Sequence, residues 1–164
     1  MKIKLLFGLF SLIFTFAKVK AQSTNSGAGI NWGKTECGVQ VAIVPSTNIV
    51  AIGGYFTITE HIRNSSTNSI VLNSSTPYLL MNDSGKKYQL PIILDISNDY
   101  GPNINAPFRL GCGGVNDFSY TVQVINPDIQ PDDFTIQVTR QITTPDNKVC
   151  SIKSNSPKLK VIRR

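Results

Sequence analysis

The feature that most constrains this chain is an alternation of apolar and polar residues, with a period of two, from about residue 38 onward. In residues 55–63, Phe56 and the two isoleucines share one face, while the threonines, His61 and Arg63 share the other. Successive side chains of a strand point to opposite faces, whereas a helix repeats every 3.6 residues. No stretch of ten residues has a convincing helical pattern, so the sequence predicts an all-β fold.

Further apolar or alternating segments occur along the chain and are separated by turn residues. They cover residues 39–43, 70–72, 78–81, 88–90, 118–124, 134–140, 149–152 and 159–161. The tetrapeptide Asn82–Gly85 between two of them is a hairpin signal. Seven or more short strands at this spacing indicate a β-sandwich or a closed sheet. The polar faces stay polar along each strand, which favours an antiparallel sandwich with one buried face per sheet.

The first 21 residues have the pattern of a removable export signal. Two lysines lie within the first four residues, an apolar run follows, and Val19 and Ala21 occupy positions −3 and −1 of a cleavage site. The run of about 13 residues is shorter than the roughly 20 that a membrane-spanning helix needs. We therefore expect a signal peptide at residues 1–21, cleaved after Ala21, and a secreted or periplasmic chain without a transmembrane segment. A flexible leader at 22–35 would precede one domain at 36–164.

The formal net charge of +6 is unevenly distributed. Without the four lysines of the signal, 12 basic and 10 acidic residues remain, a net charge of +2. Residues 22–147 carry six basic and ten acidic residues, whereas the last 17 residues carry six basic and no acidic ones. Basic and aromatic residues do not interleave, so nucleic acid is not an expected partner.

Several short motifs, in this order, resemble those of a loose family of bacterial immunoglobulin-like domains, which includes the intracellular proteinase inhibitor family. They are Trp32-Gly33, Cys37-Gly-Val-Gln-Val-Ala-Ile43, Phe56-Thr-Ile-Thr, Arg63-Asn-Ser-Ser66, Asp83-Ser-Gly85 and the proline-bearing turn and aromatic-led strand of residues 126–140. The resemblance implies an immunoglobulin-like antiparallel β-sandwich of about seven to nine strands. These motifs serve backbone geometry, and no inhibitory loop is matched.

Three cysteines remain after signal removal, and an exported domain favours their oxidation. They permit three single pairings, each of which leaves one free thiol. Alternating strand directions would place Cys112 and Cys150 near the same end of the fold, which favours a Cys112–Cys150 disulfide. Cys37 is expected near that end too, so a pairing with Cys37 is the alternative.

Catalytic motifs are sparse in this sequence. His61 is its one histidine, and the alternation places it on the solvated face of its strand, pointing away from Glu60. A cysteine nucleophile needs a base, no Gly-x-Ser-x-Gly motif occurs, and no Cys-x-x-Cys pair offers a zinc site. We therefore expect no catalytic residues, no cofactor and no enzymatic activity.

Calcium is a weak alternative for two acidic segments. Asp128, Asp132 and Asp133 surround Pro131, where ordinary turn hydrogen bonding is the favoured explanation. The segment 95–101 is similar to a calcium loop, but its glycine comes one place late and no acid closes it at the twelfth position.

The basic C-terminal segment has two explanations. Lys158 and Lys160 alternate with Leu159 and Val161, which places both lysines on one face of a terminal strand. One explanation is a polyanion-binding edge for phosphorylated or sulfated glycans, formed by Lys158, Lys160, Arg163 and Arg164. The favoured one is an edge strand protected against aggregation by its lysines.

The three Asn-x-Ser triplets at Asn64, Asn73 and Asn82 fit the N-glycosylation pattern, although they would be inert in the bacterium that the composition suggests. The expected function is that of an exported, non-catalytic binding or structural module, with an unknown protein or glycan at the cell surface as its partner. Two alternatives are a proteinase inhibitor that presents loops from one end of the sandwich and a glycan-binding or envelope-associated module.

Overall fold

The computed structural model describes residues 29–75, 77–95 and 108–164, which form thirteen strands and no helix. The strands are β1 Val39–Pro45, β2 Ile49–Ala51, β3 Tyr55–Asn64, β4 Ile70–Ser75, β5 Tyr78–Asn82, β6 Lys87–Leu90, β7 Ile92–Asp95, β8 Phe108–Leu110, β9 Val115–Gln123, β10 Asp132–Gln137, β11 Thr139–Thr143, β12 Val149–Lys153 and β13 Lys158–Ile162. The expected export signal, residues 22–28 of the expected leader and residues 96–101 of the calcium-like segment lie outside the described residues.

The first sheet is antiparallel and has the order β1-β3-β9-β7. Strand β3 is its longest member, and every second residue of β3, beginning at Phe56, is buried. This alternation is the one that the sequence predicts. Because β3 is paired on both sides, its register fixes which side chains of β1 and β9 share its outer face.

The second sheet is bent and consists of two halves. One half has the order β2-β13-β10-β5-β6, and the other has the order β12-β11-β4-β8. Only Val138 separates β10 from β11, and a four-residue loop separates β12 from β13. At the bend, the Ser154 amide donates to the Val138 carbonyl, and the Val138 amide donates to the Ser154 hydroxyl. The halves therefore act as one layer opposite the first sheet.

The core lies between the two sheets and is contributed by both. Its largest fully buried side chains are Ile43, Ile58, Ile62, Ile70, Tyr78, Leu80, Leu90, Tyr120, Ile129, Ile136, Ile142 and Ile152. All of the strand residues among them occupy the inward positions of their strands. Hydrophobic burial at alternate positions therefore places the outward side chains on the two outer faces of the sandwich.

The segment before β1 belongs to the domain, although the sequence predicts a leader as far as residue 35. Glu36 and Val39 exchange two backbone hydrogen bonds around Cys37 and Gly38. These two residues have φ values of 50° and 75°, the positive values that a two-residue type I′ hairpin requires. Beyond the turn, the Gly33 amide donates to the Val41 carbonyl. The chain from Gly33 onward therefore covers the outer edge of β1.

The predicted all-β antiparallel sandwich and the Asn82–Gly85 hairpin are confirmed. The described residues form thirteen strands rather than seven to nine, mainly because three long strands are each interrupted once. One pairing, between β2 and β13, is parallel. Within the described ranges no helix has the length and hydropathy needed to cross a membrane.

Candidate functional site

A polar network lies inside the sandwich and joins its two sheets. Arg140 of β11 donates from Nε to Glu60 Oε1 at 2.6 Å and from Nη2 to Glu60 Oε2 at 3.0 Å. The same Nη2 donates to the Tyr120 hydroxyl at 2.9 Å, and the Tyr78 hydroxyl donates to Glu60 at 3.2 Å. Glu60 is fully buried and Arg140 is 4% exposed. We call these four residues the core network.

Burial and charge act together on the protonation of the core network. Burial lowers the pKa of Arg140, but the neighbouring Glu60 carboxylate outweighs this effect and raises that pKa overall. Burial, reinforced by the Glu60 charge, raises the pKa of Tyr78 well above its ordinary value. Arg140 is therefore charged and Tyr78 neutral in the folded protein. The network is structural, because it is closed off from solvent between the sheets.

The outer face of the first sheet carries a second group of interacting side chains, which we call the Trp32 cluster. The Arg63 guanidinium carbon lies 4.3 Å from the Trp32 ring centroid. Arg63 Nε donates to Gln40 Oε1 at 2.7 Å, and Gln40 Nε2 donates to the Gly33 carbonyl at 2.9 Å. Trp32 also meets the His61 ring edge to face, with centroids 6.5 Å apart. This arrangement fastens the N-terminal segment to the sheet.

The remaining member of the Trp32 cluster is Asp117, whose carboxylate lies 2.7 Å from His61 Nδ1. His61 lies on the outer face of β3, as predicted, but its side chain is only 12% exposed rather than solvated. Trp32 packs against the outer face, because the I′ turn at Cys37 returns its segment along the edge of β1. Each charged group of the Trp32 cluster therefore has a partner within the molecule.

The disulfide joins Cys37 to Cys150, so the predicted Cys112–Cys150 pairing is wrong. The physical reason is the order of the strands. Cys112 follows β8, and β8 lies three strands away from β12 in its half-sheet, a distance of about 14 Å. A disulfide requires Cα atoms within about 7 Å. Cys37 precedes β1, whose edge borders β12 across the sandwich, and Cys112 is an exposed free thiol.

The outer face of the second sheet is rich in unpaired positive charge, and we call it the basic face. Its cations are Lys87, Arg109, Lys153, Lys158 and Lys160, and its one carboxylate among the described outward strand positions is Asp133. All five cations are exposed at alternate strand positions, and none forms an ion pair with a described residue. Asp133 is opposite Lys160 in the register.

Hydroxyl and amide side chains run along the middle of the basic face. They belong to the continuous strand β10–β11 and are Thr135, Gln137, Thr139, Gln141 and Thr143. Register places Lys158 beside Thr135 and Lys153 beside Thr139. On the other side, Met81 separates Thr135 from Lys87. The cations therefore lie on both sides of a polar row.

Strand β13 is not the edge strand that the sequence predicts. It pairs with β10 on one side and, along Lys160–Ile162, with the short β2 on the other. The alternation of its exposed lysines with buried Leu159 and Val161 is as expected. Since β2 covers much of its free edge, protection against edge-to-edge aggregation does not explain Lys160.

The C-terminal end of the polyanion candidate lies beside a shallow groove of about 370 Å³. The groove is lined by Pro131, Asp132, Asp133, Lys160, Val161, Ile162 and Arg163. Arg163 Nη2 donates to Gln130 at 3.4 Å, and Arg164 is exposed beyond it. Two carboxylates share this groove with two cations, so the excess positive charge lies along the sheet rather than at its C-terminal end.

The calcium candidates do not come together as ligands. No group of three or more His, Cys, Asp or Glu side chains suited to a metal ion occurs in the described part of the chain. Asp128 donates its amide to the Asn126 side chain, and Asp132 accepts from the Asp133 amide. These are the local turn hydrogen bonds that were the favoured explanation for the three aspartates.

The asparagine side chains of all three triplets form hydrogen bonds within the fold. Asn64 is buried, and its Nδ2 donates to carbonyls of residues 68, 110 and 111. Asn73 Nδ2 donates to the Thr143 hydroxyl at 2.9 Å, and Asn82 Oδ1 accepts from the Ser84 hydroxyl and the Lys86 amide in its own hairpin turn. Glycosylation at Asn64 is therefore incompatible with the folded chain.

Sequence reasoning missed the core network, although a signal for it exists. The alternation places Glu60 on the same strand face as Phe56, Ile58 and Ile62. It likewise places Arg140 on the same face as Phe134 and Ile136. Both charged residues thus occupy apolar faces, and two buried charges of opposite sign require a partner. The basic face had a weaker signal, because its cations come from three separate parts of the sequence: β6, β8 and the consecutive strands β12 and β13.

Comparisons with known proteins identify the fold but no family. No family model matches the chain, and no curated protein matches it. The solved structure of Northeast Structural Genomics Consortium target SoR45 is similar with a TM-score of 0.52 and 8% identity, over 78% of this chain and 90% of that one. The C-terminal domain of wzt is similar with a TM-score of 0.51 and 13% identity, over 81% and 77%. At these identities, the similarity shows the fold alone.

Proposed function

We propose that this chain is an exported, non-catalytic binding module of the immunoglobulin-like type that attaches to the cell envelope through its basic face. The observation that carries the proposal is the composition of that face, where five exposed cations accompany one carboxylate. A surface with one predominant sign of charge attracts partners of the other sign and accelerates their association.

Export is supported by two independent observations. The N-terminal sequence has the three parts of a signal peptide, and the domain holds a disulfide between Cys37 and Cys150, a bond that persists in oxidising compartments. N-terminal sequencing of the chain recovered outside the cytoplasm is expected to begin at Gln22. Recovery of the chain only in the cytoplasm, with Met1 retained, would contradict export.

The attachment is tested in cells that export the full chain. We expect most of the wild type to sediment with the envelope and to be released by added salt, because salt screens exposed charges. The double variant Lys158→Gln/Lys160→Gln should move largely to the soluble exported fraction. Lys34→Gln/Lys86→Gln, which removes the same charge away from the basic face, should remain with the envelope.

Two results would contradict this function. One is recovery of the wild type entirely in the soluble exported fraction. The other is an equal distribution of both double variants between the envelope and the soluble exported fraction. The proteinase inhibitor alternative is separated by a panel of secreted serine and cysteine proteases, since inhibition at micromolar concentration would support it and the binding proposal predicts none.

A further inference from the structure

We infer that the ligand of the basic face is an anionic polysaccharide. This inference rests on the proposed function and adds the chemical class of the partner. It is carried by three properties of the face: the dispersion of its cations, the polar row between them and the interior position of β13.

The cations are dispersed rather than gathered around one point. Lys158 and Lys160 are two residues apart on β13, about 7 Å along the strand. Lys87 is three strands away from Lys158 in the paired row Lys158, Thr135, Met81 and Lys87, about 14 Å across the sheet. A single small anion contacts only one such position. A ligand with repeated negative charges contacts several of them together.

The polar row determines the kind of polyanion. Threonine and glutamine side chains supply both donors and acceptors, and the central strand β10–β11 presents such residues at each outward position from Thr135 to Thr143. A sugar polymer offers hydroxyl groups between its charged groups and so matches this row. A single-stranded nucleic acid would require aromatic platforms for stacking. The aromatic residues Tyr88 of β6 and Phe134 of β10 are buried on the inner side of the sheet instead.

An anionic membrane surface is the competing partner, because Leu79, Met81, Ile49 and Ile162 also lie on the outer side of this sheet. Leu79 and Met81 are half-buried and lie beside Gln137 and Thr135. Insertion of these apolar residues into a bilayer would also bring the five cations and the exposed Gln141 towards a medium without water, which is unfavourable. The polysaccharide is therefore the partner that the face favours.

Edge protection is the remaining structural explanation, and it does not account for Lys160. Lysines often protect an exposed sheet edge, and Lys87 and Lys153 do lie on the edge strands β6 and β12, but β13 is paired on both sides at Lys160 and Val161. No ion pair inside the described chain requires Lys153, Lys158 or Lys160. A ligand that supplies the missing negative charge gives these residues a role.

The test measures binding of the full mature chain to dextran sulfate, with neutral dextran as the uncharged polymer of the same backbone. Binding to dextran sulfate that weakens steeply with salt is expected, together with no binding to dextran. Lys158→Gln/Lys160→Gln should reduce the affinity for dextran sulfate about tenfold or more. The matched variant Lys34→Gln/Lys86→Gln should change it less than about twofold, and circular dichroism should show that both variants are folded.

Vesicles of equimolar phosphatidylcholine and phosphatidylglycerol provide the membrane arm. Equal or tighter binding to these vesicles than to dextran sulfate would overturn the polysaccharide assignment in favour of a membrane surface. An equal loss of dextran sulfate binding in both double variants would overturn it in favour of unspecific attraction. Envelope attachment that depends on Lys158 and Lys160 without dextran sulfate binding would leave the proposed function standing and refute this inference alone.

Discussion

The two outer faces of the sandwich carry charge in opposite ways. On the first sheet, Arg63 is held by Trp32 and Gln40, and His61 is held by Asp117. On the second sheet, the five cations of the basic face have no ion-pair partner among the described residues. Paired groups stabilise the fold in which they are held, whereas unpaired exposed groups contribute little to it. The comparison therefore gives the first face a role in stability and leaves the second face for the proposed binding.

The core network is the extreme case of paired charge, and its disruption should have the largest effect. Arg140→Ala leaves the buried Glu60 carboxylate without its cation, so the free energy of unfolding should fall by about 3–5 kcal/mol. Urea denaturation measures this change. The double variant Glu60→Met/Arg140→Leu removes both charges and should recover most of the loss. If the double variant is as unstable as Arg140→Ala, the cost is due to packing and not to the unpaired charge.

The disulfide tests whether the two faces are independent. It anchors the segment that carries Trp32, and it closes a separation of 113 residues. Cys37→Ser/Cys150→Ser should lower the free energy of unfolding by about 2–5 kcal/mol. Dextran sulfate binding below the unfolding transition should not change, because the basic face is built from other residues. A loss of binding in the folded variant would show that the faces are coupled.

Trp32→Ala should have a moderate effect on stability. It removes a half-buried ring and its contact with the Arg63 guanidinium, and we expect a loss of about 1–2 kcal/mol by thermal or chemical unfolding. Dextran sulfate affinity should remain within about twofold of the wild type. A stable variant with impaired binding would move the binding function to the first face and contradict the comparison.

The smallest effect on stability is expected on the basic face. Lys158→Gln/Lys160→Gln should change the free energy of unfolding by no more than about 0.5 kcal/mol, since both side chains are exposed and make no ion pair. The same denaturation experiment measures it. A destabilisation comparable to that of Trp32→Ala would mean that the lysines support the fold.

The sequence was sufficient for local properties. The period of two identifies the strands and the inward residues of β3, β10 and β13, because alternation is a property of each strand alone. The hairpin at Asn82–Gly85 follows for the same reason. The burial of Glu60 and Arg140 also follows from the alternation, because both residues occupy inward positions of their strands.

Properties that depend on the order of strands in space could not be predicted in this way. The interior position of β13 depends on β2, a three-residue strand without an alternation of its own. The disulfide depends on which edge strand borders β12. The basic face depends on β6 and β8 meeting the consecutive strands β12 and β13 on one side of the sandwich.

The most direct test of this account is an NMR titration of the isotopically labelled mature chain with dextran sulfate. We predict amide shift changes along β10, β11, β12 and β13, centred on Lys153, Lys158 and Lys160, with the amides of β3 and the Trp32 indole unchanged. Shift changes centred on Trp32, Arg63 and His61, with β13 unaffected, would contradict the account.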